Sequence, residues 1–313
     1  MNYLYRFLAS LPLASLAIGG MAAGGSQMGG LTATVKVART RHIHPHASLP
    51  RWFDWDRTHR GLLFLDGRRE DIMQIVGGTS LISTYACRDI TPILMHTGRL
   101  PKDYVQRLKE TADWVDQILS RTDDLAAFKS VNYKRAVDLG NLHAGIGRQI
   151  SPAMLGWDRH QRVAINQQAF AFVLYSFAWQ PIESLERVGK LDPVKDARAI
   201  DDWFYLWRVL GYGLGVEDAL LPRNLGQVRR VVSVLRASQY GAPAPKGADL
   251  LLRNQYASLV GYLKAHKMPE NDAKTKGRSI LVDEIRASPG LCQALGLGRD
   301  PEKGVGRLLD GAR

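Results

Sequence analysis

The chain has 313 residues, 45% of them hydrophobic, which is enough apolar material for one large domain or two small ones without disulfide or metal staples. Its two cysteines, Cys87 and Cys292, are too few for a disulfide framework and match no zinc or iron–sulfur spacing. The formal charge of +12 comes from basic residues spread along the chain, with no lysine-rich arm, zinc-finger spacing or RNA-binding aromatic signature; this argues against a nucleic-acid partner and for a solvated, basic surface.

From Phe7 to Val35 there is no charged residue, and an apolar run from Phe7 to Ile18 follows Arg6 and leads into Gly19-Gly20-Met21-Ala22-Ala23. That layout is an export signal's, so residues 1–30 are expected to be a leader that packs on nothing. The protein is then exported or held at a membrane through it, or cytoplasmic if the segment is not a signal. Pro12 and the crowded glycines make a poor span, and the apolar part falls short of the roughly 20 residues a span needs. An extended lead-in is expected over 31–50, where Pro45 and Pro50 flank or follow the cluster His42-Ile43-His44-Pro45-His46. Three alternating histidines could bind a metal, but such a cluster is more often a polar loop, because proline holds it extended and no carboxylate or cysteine stands close in sequence.

Trp52, Phe53 and Trp55 announce packed structure, and from there the dominant period is helical. Tyr104, Leu108, Ala112, Val115 and Leu119 recur at three- and four-residue steps after Leu100-Pro101. A second helix is expected over 126–150, stopped by Ser151-Pro152, and a third over 162–179 before Pro181. A fourth begins at Asp201-Asp202, two acids that suit a helix N-terminus, and runs through Trp203 and Trp207 to glycines 211, 213 and 215. Further helices are expected at 217–237, 247–265 and 278–295, with the polar stretch 269–276 as a separator. Without strand-length alternation or an internal repeat, an all-α bundle is favoured, with one domain over 51–265 and a helical extension and tail over 266–313.

Two places could carry chemistry. Leu142-His143-Ala144 lies in the second helix with Leu139, Ile146 and Ile150 on neighbouring turns, so an imidazole is embedded in an apolar stripe. Such a nitrogen on a rigid helix can ligate a haem iron, or the side chain is a core histidine bonded to a backbone carbonyl. The helix after Leu100 carries Arg107, Glu110 and Thr111, and Arg107 and Thr111 are one turn apart on a common face. A guanidinium and a hydroxyl aimed at dioxygen would stabilise the negative charge that develops as oxygen is reduced; the alternative is an exposed Arg107–Glu110 ion pair beside a surface threonine. There is no GxSxG elbow, Walker loop or HExxH, and Gly211-Tyr212-Gly213-Leu214-Gly215 follows a helix and not a strand, so it reads as close packing or a helix end.

Several segments, taken in order, resemble the latex-clearing protein (rubber oxygenase, mpaB-type) family of globin-like helical haem b proteins. Thr97-Gly98-Arg99-Leu100 followed by Arg107-Leu108-Lys109-Glu110-Thr111 resembles its distal helix, and Leu142-His143-Ala144 its proximal-ligand motif. Ile165-Asn166-Gln167-Gln168 with the aromatic run to Phe177-Ala178 is similar to its Asn-Gln segment, and Trp207 to Val216 with Leu221-Pro222 to the next landmark; the match spans roughly 50–225. The resemblance implies a globin-like helical bundle with additional helices. It implies haem b with His143 as iron ligand, Arg107 and Thr111 at the oxygen site, and dioxygen added across a carbon–carbon double bond of an apolar, polyisoprenoid-like substrate, with room for peripheral membrane association.

The family usually carries an arginine three residues before the histidine and another four after it, near the haem propionates. Here those positions hold Gly140 and Gly147, with Arg148, Arg135 or Lys134 as substitutes. Where some relatives have an iron-capping lysine before the distal threonine, this chain has Glu110, a candidate general base if an apolar cavity raises its pKa toward neutrality. Of a carboxylate in the preceding helix only Asp89 is near, so rubber itself is not implied. A haem or lipid carrier or sensor without catalysis is the alternative from another functional class.

Overall fold

Asp54 starts the first long helix of the packed body by accepting the Arg57 N–H at 3.1 Å, the side-chain cap that a helix N-terminus needs for its unpaired donors. The computed structural model describes residues 25–311, and the leader expected over 1–30 falls outside them as far as residue 24. In chain order the helices are α1 (Gly25–Val37), α2 (Trp55–Asp66), α3 (Arg69–Ile75), α4 (Leu81–Tyr85), α5 (Thr91–Thr97), α6 (Tyr104–Ile118) and α7 (Lys134–Gln149). There follow α8 (Gln167–Arg187), α9 (Ala197–Leu214), α10 (Leu225–Gln239), α11 (Ala248–Ala265), α12 (Glu270–Arg286) and α13 (Pro301–Asp310). Wide π-helical turns at Val76–Ser80 and Phe128–Tyr133 lead into α4 and α7. Among the described residues there is no strand beyond a single bridge between His42 and Asn166, so the fold is all-α. None of these helices is long and apolar enough to cross a membrane.

Five expectations need correction. The lead-in is helical through Val37 and extended only from Arg41 onward. The third helix starts at Gln167 and not at 162, because Val163 and Gln167 donate their N–H groups to Arg39 and Arg41 carbonyls at 3.0 and 2.9 Å, which uses 162–166 to tie down the lead-in. Pro181 does not end it; α8 is buried on both sides of the proline, at Ala178, Trp179, Gln180 and Ile182, and tertiary packing outweighs the one lost N–H. Asp201 and Asp202 lie a turn inside α9 rather than at its start, and they bind Arg57 and Arg60 of α2. Finally, 269–276 is helix: acids Glu270 and Asp272 sit in the first turn of α12, and Glu270 pairs with Lys264 and Lys274 at 3.1 and 2.7 Å.

The described chain divides into two compact units. The first comprises residues 70–113 and 239–311, with a core of Ile82, Tyr85, Leu108, Leu251, Leu252, Leu281 and Val305 drawn from α4, α6, α11, α12 and α13. The second comprises residues 25–69 and 114–238. In it α2 lies tightly on α9: a Cβ on Gly61 would stand 2.6 Å from the Asp202 carbonyl, so only glycine permits the approach. Trp203 and Trp207 of α9 are fully buried there.

The same unit seats the lead-in across the end of α9. His44 and His46 donate N–H groups to the Gly215 and Gly213 carbonyls at 3.1 and 3.4 Å, and Gly215 turns with φ 95° where a side chain would strike His44 and Pro45. The glycines 211, 213 and 215 therefore serve packing and helix termination, as their helical context predicts. Gln167 completes the joint. Its Nε2 donates to the His42 and Gly215 carbonyls at 3.1 and 2.8 Å, and its Oε1 accepts from Glu217 N–H at 2.9 Å.

Candidate functional site

Helix α6 supplies the oxygen-side candidates within the first unit. Tyr104, Leu108 and Val115 form its buried stripe; Thr111 falls in line with them at the helical spacing yet is only half-buried, which leaves a hydroxyl on an otherwise apolar face. Thr111 Oγ1 donates back to the Arg107 carbonyl at 2.9 Å, a bond that fixes its rotamer. The Arg107 guanidinium is paired with Glu110, which also receives Gln106 Nε2 at 3.2 Å and lies 3.5 Å from Arg99. Arg107 and Glu110 are each about one-third exposed at the side chain.

This arrangement overturns the expectation for Glu110. The Gln106 and Arg107 hydrogen bonds hold its carboxyl below the usual carboxylate range, so it is ionised at neutral pH and is no general base with a raised pKa. Because the folded value is depressed, whatever Glu110 adds to stability is present above its ordinary value of 4.5 and is lost as pH falls through the lower, folded value. Glu110→Gln should therefore leave any activity–pH profile unchanged around neutrality and alter thermal unfolding only in acid; a displaced neutral limb in that variant would restore the base assignment.

Helix α7, in the second unit, carries His143. The ring is partly buried, its Nδ1 lies 2.9 Å from the Leu139 carbonyl, and it leans on Phe170 of α8 with ring centroids 5.2 Å apart. A carbonyl can only accept, so Nδ1 carries a proton, which in the neutral ring is the tautomer that an axial ligand to iron requires. Leu139, Leu142 and Ile146 share this flank, and Leu142 is 57% exposed, so an apolar surface lies open around the imidazole. The carbonyl bond is the one the core-histidine alternative expects, and a ligand histidine makes the same bond through its second nitrogen; the ring itself is only partly buried.

The substitutes for the missing arginines are placed less favourably. Arg148 follows His143 by five residues, about 140° around the helix, and faces the lead-in, where its charge, after burial and His44, helps to lower the His42 pKa. Arg135 is exposed about 12 Å along the helix from His143 and about 80° around it; its carbonyl accepts the Trp114 indole N–H at 3.4 Å. Lys134 is paired with Asp138 at 2.6 Å. Gly140 and Gly147 face protein: Cβ atoms there would lie 2.6 Å from the Leu214 carbonyl and 2.9 Å from the Ala164 carbonyl. Among the described residues no group of three or more His, Cys, Asp or Glu is placed to hold an ion, the cluster His42, His44 and His46 included. Asp89 is buried and bonded by Gln239 Nε2 at 3.3 Å.

Phe170 was not singled out beforehand, and Asn166 was named only within the Asn-Gln segment. Phe170 follows the Gln167 staple by three residues on α8, and its ring meets that of His143 on α7. Asn166 caps α8 through Oδ1, which accepts the Ala169 N–H at 2.8 Å, so the Asn-Gln segment holds α8, and with it Phe170, in register.

Comparison with known proteins agrees with this architecture. Residues 67–271 match the family described as ER-bound oxygenase mpaB/B'/Rubber oxygenase, catalytic domain. The fold is similar to a solved structure titled "Structure of Latex Clearing Protein LCP in the closed state", with a TM-score of 0.57 at 16% identity over 90% of this chain and 85% of that one. No curated protein matches the sequence. With the family match covering residues 67–271, well over half of the chain, this protein belongs to the mpaB/rubber oxygenase catalytic-domain family.

Proposed function

We propose that the protein is a haem b-dependent oxygenase that adds dioxygen across a carbon–carbon double bond of an apolar, isoprenoid-like substrate. The observation that carries the reading is His143: an imidazole with its Nδ1 on the Leu139 carbonyl, set in an apolar flank that is open at Leu142. Haem supplies an iron centre at which dioxygen can be activated. The chain's own part is to hold the iron through His143 Nε2, to pack Leu139, Leu142 and Ile146 against a porphyrin face, and to keep water from it. In this reading Arg107 would offer N–H donors and positive charge, and Thr111 a hydroxyl once it exchanges its bond to the Arg107 carbonyl, to the charge that develops during the reaction. In the overall change one C=C and one O=O bond break and two C=O bonds form, so no outside electrons are consumed.

Reconstitution with haem tests this directly. The wild-type protein should show a Soret band that His143→Ala loses, together with oxygen uptake on a polyisoprene substrate. Equal Soret intensity in the two proteins would remove His143 from the iron. A second reading, a haem or lipid carrier, draws support from the Arg107–Glu110 pairing and from Arg148, which faces the lead-in; a haem carrier predicts the same Soret band with no oxygen uptake.

A further inference from the structure

The first unit contains a polar junction unrelated to the packing of an ordinary core. Glu284 of α12 is only 9% exposed, and its Oε2 has no hydrogen-bond partner among the described residues. The carboxyl presses on Gly78 in the π-helical turn, where a side chain would overlap it. From the neighbouring Gly77 a chain of bonds leads away: its carbonyl accepts Gln255 Nε2 at 3.5 Å, Gln255 Oε1 accepts the Tyr104 hydroxyl, and Tyr104 meets the Tyr85 hydroxyl at 2.7 Å. Tyr85, Tyr104 and Gln255 are all buried. Tyr104 opens α6, and Arg107 and Thr111 follow it at i+3 and i+7 on the same side. Buried polar atoms without partners and π-helical turns both concentrate at functional sites.

We propose that Glu284 is a positioning residue for the oxygenase site, setting through Gly77–Gly78, Gln255 and Tyr104 the seat of the helix that presents Arg107 and Thr111. This rests on the reading that those two residues serve the oxygen. Burial first, and Asp283 second, push the Glu284 carboxyl up to about 8, so it is neutral in the folded protein at pH 7. The ionisable groups brought near it are Asp283 on its own helix and Tyr85 on α4, whose own pKa burial raises. Among the described residues Asp283 is the only charged group that acts on its carboxyl; on the other packed elements Tyr256 of α11 bonds the Lys274 carbonyl, Cys292 lies by Asp300 and Arg307, Glu302 pairs with Arg286, and Asp310 with Arg278. An ionised Glu284 would thus be a charge with no cation to meet it. The relief open to it is movement of the glycine turn, which pulls on Gln255 and Tyr104.

Hydrogen exchange of the α6 amides across pH, corrected for intrinsic rates, reads this in the protein with or without haem. With a value of about 8, the ionised fraction of Glu284 climbs from about one-tenth at pH 7 to about nine-tenths at pH 9, so opening of α6 between 104 and 111 should rise about tenfold over that range in the wild type. Glu284→Gln should flatten it. Tyr104→Phe should flatten it on α6 alone while the 76–80 turn still responds. Flat exchange in the wild type, or a rise that survives Glu284→Gln, overturns the proposal, and the wild-type arm needs no variant to fold. Turnover gives the second readout: the wild-type rate should fall above pH 8 and the Glu284→Gln rate should not. Shared pH profiles alongside divergent exchange overturn the positioning role and leave the oxygenase reading intact. Absence of oxygen uptake at every pH overturns the oxygenase reading, and this role with it.

Discussion

Arg107→Ala and Thr111→Ala are expected to leave haem bound and to lower oxygenation about a hundredfold each, whereas His143→Ala should lose the haem itself. The asymmetry follows from what each group can touch. An axial ligand holds iron in the resting protein, so its loss appears in affinity; donors on the oxygen side meet full negative charge only during the reaction, so their loss appears in rate. Removing one preplaced donor costs about 3 kcal/mol of barrier, which is the hundredfold. The Glu110 partner is no obstacle to this, since an exposed Arg–Glu pair is worth only about 0–1 kcal/mol and so cannot hold the guanidinium from a better ligand. Soret absorbance and oxygen uptake measured on the same samples separate the two losses. Unimpaired turnover in Arg107→Ala would make this arginine half of a surface ion pair and nothing more.

The sequence made the helices legible where burial and period agree, and less so where a residue's partner is remote. Tyr104, Leu108 and Val115 announced α6 because their spacing alone matches one buried face. Asp201 and Asp202 misled because acids at a helix start and acids bonded to arginines of another helix look identical along the chain; Arg57 and Arg60 lie about 140 positions away. Pro181 misled for a related reason, since no local signal reports that both flanks of the proline are buried. His143 could be found from its apolar neighbours, but its tautomer, set by the Leu139 carbonyl, could not. Glu284 gave no signal at all: a glutamate in a polar helix is ordinarily solvated, and only the approach of Gly78 reveals that this one is not.

The three glycines of α7 should respond to the same substitution in opposite directions. Alanine is favoured over glycine within a helix by about 1 kcal/mol. At Gly145 nothing lies within 4 Å of the added Cβ, so Gly145→Ala should gain that preference and raise the melting temperature by a few degrees. At Gly140 the Cβ would stand 2.6 Å from the Leu214 carbonyl and 2.9 Å from Pro45, and at Gly147 it would stand 2.9 Å from the Ala164 carbonyl. Backbone oxygens cannot rotate away, so the end of α9 or the 163–166 segment must move. Overpacking costs about 1–3 kcal/mol and exceeds the propensity gain, and Gly140→Ala and Gly147→Ala should melt lower. Arginine at either position, which would mimic the family's usual residues, must also thread its side chain past Pro45 or Ile165, and should unseat the lead-in before it could reach a propionate. Equal melting temperatures for all three alanine variants would mean that α7 does not lie against Leu214 and Ala164. In that case the face of α7 beside His143 would be open to a propionate after all.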